Sequence, residues 1–184
     1  PHYTFNLRDI SRVFQGVLRS QKLYFDTRDA IIRLWAHEAS RVFADRMTNR
    51  ADKTYFQELL EAMLAGTFQT STKALYKDGG MPPFGDFMRR TVPDGKAAPY
   101  EELADGKALK KYCEERLEDY NMEPGVQAMD LVMFGDAIGH VCRIKRVLGM
   151  PRGHAMLVGV GGSGRQSLTK LASYIAGFKV FMVE

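Results

Sequence analysis

The chain has 184 residues, room for one domain or two small ones. Hydrophobic residues are 45% and charged residues 26%, a globular balance that excludes a disordered tail, a collagen-like chain and a coiled-coil rod. Its 26 basic and 22 acidic residues leave a charge of +4, and the basic ones are scattered, whereas a nucleic-acid or membrane-surface protein gathers them.

Residues 1–78 read as helical. Asn6 or Asp9 is placed to cap a first helix reaching Ser20, with Leu7, Ile10, Val13, Phe14, Val17 and Leu18 at helical spacing. A second helix is expected from about Thr27 to Thr48. Ile31, Leu34, Trp35, Val42, Phe43 and Met47 form its buried stripe, while Arg33, Glu38, Arg41 and Asp45 face water or pair. A third fits Asp52 to Ala65, apolar at Tyr55, Phe56, Leu59, Leu60, Met63 and Leu64, with Gly66 at its end. Residues 79–99 break the pattern. Pro82, Pro83, Pro93 and Pro99, four of the chain's 7 prolines, fall there with Gly79, Gly80, Gly85 and Gly95, so the segment is a linker. Within it Phe84, Phe87, Met88 and Val92 are candidates to pack on a neighbour.

Asp105 to Tyr120 then reads as a Lys- and Glu-rich helix with Leu109, Tyr112, Cys113 and Leu117 on one side. Ala128 to Leu148 reads as another, its inner face Leu131, Val132, Phe134, Ala137, Ile138, Val141, Ile144 and Leu148. After it the period changes. His154 to Gly159 is a short apolar run bounded by glycines, a buried strand. Gln166 to Ala176 is a helix, and Phe178 to Val183 a second strand. Strand, glycine loop, helix and strand make a βαβ unit that starts a right-handed parallel sheet. The apolar run at Ala155–Val158 is far below a membrane span. Two cysteines, Cys113 and Cys142, make neither a disulfide framework nor a zinc site and fit a reducing compartment. The chain opens without Met and stops after an apolar run, so a piece of something longer is expected. An open sheet start leaves an unpaired edge, and the piece by itself is expected to be marginal or prone to aggregate.

The segment richest in chemical information is Gly159-Val-Gly-Gly-Ser-Gly-Arg-Gln-Ser167. A glycine loop between a strand and a helix aims unpaired backbone N–H groups and the helix dipole at one spot, which suits a phosphate. Glycines let the backbone wrap it without Cβ clashes. The bland alternative is a tight turn that binds nothing. Two fingerprints overlap here. The P-loop pattern G-x-x-x-x-G-K-[ST] is matched by Gly159 and Gly164, with Arg165 in place of Lys and Gln166 in place of Ser or Thr. The dinucleotide pattern G-x-G-x-x-G is matched by Gly159, Gly161 and Gly164, with Glu184 as the acid at the end of the second strand, which points to an NAD- or FAD-dependent oxidoreductase. Other groups suggest chemistry less well. Ser163 lacks the glycine that a nucleophile elbow needs at Arg165. His140 and Cys142 point about 200° apart on a helix, cannot share a metal, and read as packing residues. His37 reads as a satisfied helix histidine, Trp35 with Phe43 as core, and the Glu114, Glu115, Glu118, Asp119 run as a solvated face.

The wider sequence separates the two fingerprints. Met129-Asp-Leu-Val-Met-Phe-Gly-Asp-Ala-Ile-Gly-His-Val-Cys-Arg-Ile-Lys-Arg-Val-Leu148 and Pro151-Arg-Gly-His-Ala-Met-Leu-Val-Gly-Val-Gly-Gly-Ser-Gly-Arg-Gln-Ser-Leu168 closely resemble the opening of the fourth AAA+ module of axonemal dynein heavy chains. Phe5-Asn-Leu-Arg-Asp9, Arg12-Val-Phe-Gln-Gly16, Arg33-Leu-Trp-Ala-His-Glu38 and Arg41-Val-Phe-Ala-Asp-Arg46 resemble the end of the third. The resemblance runs in order over essentially the whole chain.

The resemblance implies an α/β P-loop NTPase of AAA+ type: a helical small domain closing one module at 1–78, a Pro/Gly-rich linker at 79–99, and the start of the next module at 100–184, with a helical entry and the first βαβ of a parallel sheet. It implies a nucleotide site, for ATP or ADP, made by Gly159, Val160, Gly161, Gly162, Ser163, Gly164, Arg165, Gln166 and Ser167. Arg165 takes the place of the lysine that reaches the phosphates. It keeps the charge on a larger, planar, forked group. Gln166 replaces the hydroxyl that ligates Mg²⁺, and Ser167 lies about 100° around the helix, so weak metal binding and poor hydrolysis are expected. The acid that activates water belongs to a later strand, so no catalytic residue is expected here. Arg8 is the candidate sensor arginine of the preceding module, against the plainer reading of a surface arginine paired with Asp9 or Glu38. The implied parent is an ATP-driven microtubule motor of the axoneme. Its partners are neighbouring AAA+ modules of the same chain, microtubules and other dynein subunits, with no nucleic acid and no membrane.

Overall fold

The computed structural model describes residues 3–76, 80–89 and 98–183. They form two compact units. The first takes in the described residues of Pro1–Phe84 and Pro99–Glu102, the second those of Gly85–Ala98 and Leu103–Glu184. Gly79, Val92, Pro93, Gly95 and Glu184 lie outside the described residues.

In the first unit, α1 spans Leu7–Val17, and the two alternative caps act together. The Asn6 side chain accepts from the Arg8 N–H, and the Asp9 carboxylate accepts from the Asn6 N–H, both at 2.9 Å. The buried face of α1 is Asp9, Val13 and Gly16, not the expected apolar stripe. Leu7, Ile10, Phe14 and Leu18 are exposed, Leu7 to 82%. Spacing marks an apolar face but not which neighbour it meets, and α1 turns its small and polar side to α2.

Helix α2 runs Arg28–Val42, shorter than expected, and gives way to a 3-10 turn at Ala44–Arg46. The Thr27 hydroxyl caps it by accepting from the Ala30 N–H. Ile32, Leu34, Ala36, Ala39 and Val42 are buried, while Ile31 is exposed. Arg33 pairs with Glu102 and Arg41 with Asp45, as expected of the polar face. Glu38, placed on that same face, is fully buried instead.

Helix α3 runs Arg50–Phe68, through Gly66, and ends where Gln69 turns left-handed. The Arg28 guanidinium donates to the Phe68 carbonyl, covering one of the acceptors a helix end leaves over. Only its Leu60 and Leu64 are fully buried, and Tyr55, Leu59 and Met63 are exposed. The short α4, Thr72–Tyr76, follows, its first N–H held by the Glu61 carboxylate. Ile32, Ala36, Leu60, Leu64 and Leu75 make one core, with Trp35 packed beside it. Phe25, Leu34, Phe84 and Tyr100 make a second. β1, Phe84–Gly85, and β2, Glu101–Glu102, form a two-stranded ladder.

In the second unit, α5 spans Gly106–Met122, capped by Asp105, which accepts from Lys107 and Ala108. α6 spans Gly135–Leu148 and α7 spans Arg165–Ile175. Leu109, Cys113 and Leu117 of α5, Ala137, Ile138, Val141 and Ile144 of α6, and Leu168, Leu171 and Ala172 of α7 share one core with Phe87 and Met133. Residues 128–134, expected as the start of α6, are not helical, and the Phe134 N–H turns back to the Val132 carbonyl at 3.0 Å. Asn121 grips Met129 there with two bonds, to its N–H at 2.8 Å and its carbonyl at 2.9 Å, and Val132 and Phe134 are exposed rather than inner. His140 is exposed, 3.4 Å from Arg143, while Cys142 is buried as expected.

The expected βαβ unit is corrected in its strands. Neither 154–159 nor 178–183 is a strand, and both are exposed: Met156 by 89%, Val158 by 84%, Phe181 by 89%. A strand exists by bonding to a neighbour. Among the described residues these two segments do not pair with each other, and no third segment lies along either. The helix between them forms because α7 needs only its own carbonyls and the α5–α6 surface. No helix of the described residues is long and apolar enough to cross a membrane, and they hold no metal-binding cluster of His, Cys, Asp or Glu.

Burial, with Glu114 nearby, pushes the Cys113 thiol from 9.0 up to about 11. The folded unit therefore favours the protonated thiol. That contribution is fully present below about pH 9 and is lost as pH rises through about 11. Cys113 is expected to resist a thiol reagent at about pH 8 until the unit unfolds. Stoichiometric labelling of Cys113 under native conditions contradicts this packing.

Candidate nucleotide site

The loop at 159–164 stands on a firm base. Leu168, Leu171 and Ala172 fix α7 in the core, while Gly159 to Ser163 are exposed above it. Two residues carry the turn. Gly162 and Gly164 both have φ +74°, the left-handed region that a Cβ disfavours. Gly164 is also the N-cap of α7 and has no side chain to close the helix start. The Leu168 N–H bonds to the Gly164 carbonyl at 2.8 Å. The N–H groups of Arg165, Gln166 and Ser167 have no backbone acceptor among the described residues. Free N–H groups, a helix dipole and open space at Gly161 and Gly162 meet at one place. The donors fit a phosphate and the shape admits one.

The side chains modify this. Arg165 Nη2 donates to the Val160 carbonyl at 3.3 Å, and the Ser163 N–H approaches the same oxygen at 3.4 Å. The cation thus rests across the loop it belongs to. The Thr169 hydroxyl donates to the Arg165 carbonyl at 2.7 Å and holds the first turn. Gln166 is exposed and Ser167 half-buried, so the exposed position next to Arg165 offers an amide and no hydroxyl. The backbone donors therefore fit phosphate well, and the side chains fit Mg²⁺ poorly.

Gly159 to Ser167 are brought together as the sequence places them. Arg8 belongs to the other unit. It is exposed on the first turn of α1, and its guanidinium makes no ion pair among the described residues. Both partners of the plainer reading are engaged elsewhere. Asp9 takes Arg46 at 3.0 Å and Arg12 at 3.4 Å, and Glu38 takes the Tyr100 hydroxyl. Sequence reasoning missed the bond from Arg165 to Val160, which no spacing rule reports. It also missed Arg152, a non-glycine residue at φ +55° in the turn that leads from α6 towards the loop.

Comparison with known proteins adds to this geometry. Residues 129–184 match the family described as P-loop containing dynein motor region D4, and residues 1–76 match the AAA+ lid domain family. The chain is 47% identical, over all of its length, to the Dynein-1-beta heavy chain of the flagellar inner arm I1 complex of Chlamydomonas reinhardtii. It is 46% identical over all of its length to Dynein axonemal heavy chain 2 of Homo sapiens. It is 42% identical over 99% of its length to the Dynein beta chain of the flagellar outer arm of Chlamydomonas reinhardtii. The chain belongs to the dynein heavy-chain family. It spans 4% of the length of each of these relatives. The glycine loop lies inside the segment that matches this P-loop containing family, and the dinucleotide reading with Glu184 finds no support in the comparisons.

Gly164→Ala is expected to cost about 1–2 kcal/mol, the penalty of a Cβ in the left-handed region, and to weaken nucleotide binding at this loop. Gly161→Ala, at a position with open space, is expected to cost less. Equal losses, read by thermal unfolding and nucleotide titration, contradict the assigned backbone roles.

Proposed function

We propose that Gly159–Ser167 is the nucleotide-binding loop of one AAA+ module in an ATP-driven microtubule motor, and that this module serves regulation and ring structure more than turnover. The observation that carries the reading is the uncapped start of α7 beneath a glycine loop, within a segment that matches a P-loop dynein family. Bound ATP supplies a transferable γ-phosphoryl group, whose hydrolysis calls for a metal and an activated water. The backbone N–H groups of the loop and of the first turn of α7 hold the phosphate oxygens. Arg165 leaves the Val160 carbonyl to meet the phosphates, where its fork suits two oxygens but not the point contact of an ammonium. Gln166 sets the limit on turnover, since its longer side chain carries the amide oxygen away from the place a Ser or Thr hydroxyl would take at the metal.

Residues 1–78 then act as the helical small domain of the preceding module, with Arg8 as its arginine toward that module's nucleotide. Residues 79–99 link it to the module that starts at residue 100. The relatives named above are axonemal or flagellar chains, which supports a place in a cilium or flagellum. The partners of the parent are its own neighbouring modules, microtubules and other dynein subunits.

Two substitutions in the full heavy chain test the site. Arg165→Ala is expected to lower ATP and ADP affinity at this module at least about a hundredfold, and Arg165→Lys to stay within about tenfold of the parent. Unchanged affinity in the alanine variant overturns the role of Arg165. Gln166→Ser restores the missing hydroxyl and is expected to raise the Mg²⁺ dependence of nucleotide binding. A variant with no added metal dependence removes Gln166 as the cause of poor metal binding.

A further inference from the structure

The strap Pro99–Glu102 belongs to the helical unit although the chain on either side of it belongs to the other. Tyr100 holds it there. Its ring is buried with Phe25, Leu34 and Phe84, and the Arg19 guanidinium lies 4.0 Å over it. Its hydroxyl donates to Glu38 Oε1 at 2.7 Å. Two residues on, Glu102 pairs with Arg33 at 2.9 Å.

Glu38 is the unusual member. It is a carboxylate with no exposed surface, in the middle of α2. On its other side stands α1. A Cβ on Gly16 would lie 1.7 Å from Glu38 Oε2, so the carboxylate fills the place of the side chain that Gly16 lacks. One oxygen abuts α1 and the other accepts from the strap. A shift of α1 on α2 therefore turns the carboxylate, and a turned carboxylate loses its bond to Tyr100. Because water can replace that bond once the site opens, the contact is releasable in a way that an apolar plug is not.

We propose that Gly16, Glu38 and Tyr100 form a latch that ties the seating of α1 on α2 to the docking of the Pro99–Glu102 strap. The helix at the input end carries Arg8 on its first turn, so whatever draws on that turn acts at the strap. The latch stands whether or not Arg8 meets a nucleotide.

Hydrogen exchange on the full heavy chain tests it, with two variants that touch opposite ends. Gly16→Ala alters α1 and leaves the strap untouched in sequence. It is expected to raise exchange at the amides of Tyr100, Glu101 and Glu102 at least about tenfold while α3 keeps its protection. Tyr100→Phe keeps the ring and removes the hydroxyl. It is expected to raise exchange in α1 around Gly16, again with α3 protected. If Gly16→Ala loosens only α1 and α2, or if Tyr100→Phe leaves α1 within about twofold of the parent, the two ends are not coupled and the latch is overturned. Loss of α3 protection in Gly16→Ala signals general unfolding, and the effect of Tyr100→Phe on α1 then decides.

Discussion

Backbone N–H groups at the start of a helix need acceptors, and the start of α7 leaves three without one in the described chain. α1, α2, α3 and α5 take a side-chain oxygen from Asn6, Thr27, Asn49 and Asp105. α6 starts at Phe134 with no side-chain cap bond, and at α7, the start that follows a glycine loop, the cap is Gly164, which has no side chain to give. That deficit supports the proposed phosphate site, and the rest of the second unit keeps it in place. Leu168, Leu171 and Ala172 bury one side of the helix, so its first turn is held by packing rather than by its own cap. The loop is free to present donors because the helix beneath it is not free to move.

The two units reach their order by different means. The second is held by a single apolar core shared by α5, α6 and α7, with the Lys145–Asp86 pair and the Asn121–Met129 bonds at its margins. The first divides its apolar packing between two smaller cores and adds buried polar contacts. Asp9, Glu38, Ser40 and His37 are all buried there, and each meets a named neighbour: Arg46, Tyr100, the Ala36 carbonyl and the Phe84 ring. Buried polar groups fix one arrangement strongly, because any other leaves them unsatisfied. They also make that arrangement sensitive to small displacements, which an apolar core tolerates better.

Much of the helical layout is legible in the order of residues alone. The caps at Asn6 with Asp9 and at Asp105, the stripe Leu109–Cys113–Leu117, and the inner face Leu168–Leu171–Ala172 all lie where local spacing puts them. These features depend on residues within a few turns of one another. Spacing fails where a distant partner decides. Leu7 and Phe14 look like core and are exposed, because α1 turns Val13 and Gly16 to its neighbour. Glu38 looks like surface and is buried, because Tyr100, distant in sequence, supplies its donor. The local signal of that contact is Gly16, a lone glycine inside a helical pattern, which marks a close approach.

The sequence by itself determined the glycine loop, its place before a helix, and the substitutions at Arg165 and Gln166 that set this loop apart from the ordinary P-loop pattern. It also determined the family, since long words in order are written in the chain and need no fold to be read. Only the tertiary structure decided which face of each helix is inside, that Glu38 is buried, and that Arg165 rests on the Val160 carbonyl. It also decided that 154–159 and 178–183 are not strands among the described residues. The reason is the range of the forces involved. A helix closes its bonds within four residues, so sequence spacing reports it. A strand or a buried carboxylate is completed by a partner elsewhere in the chain, and spacing does not say where that partner lies.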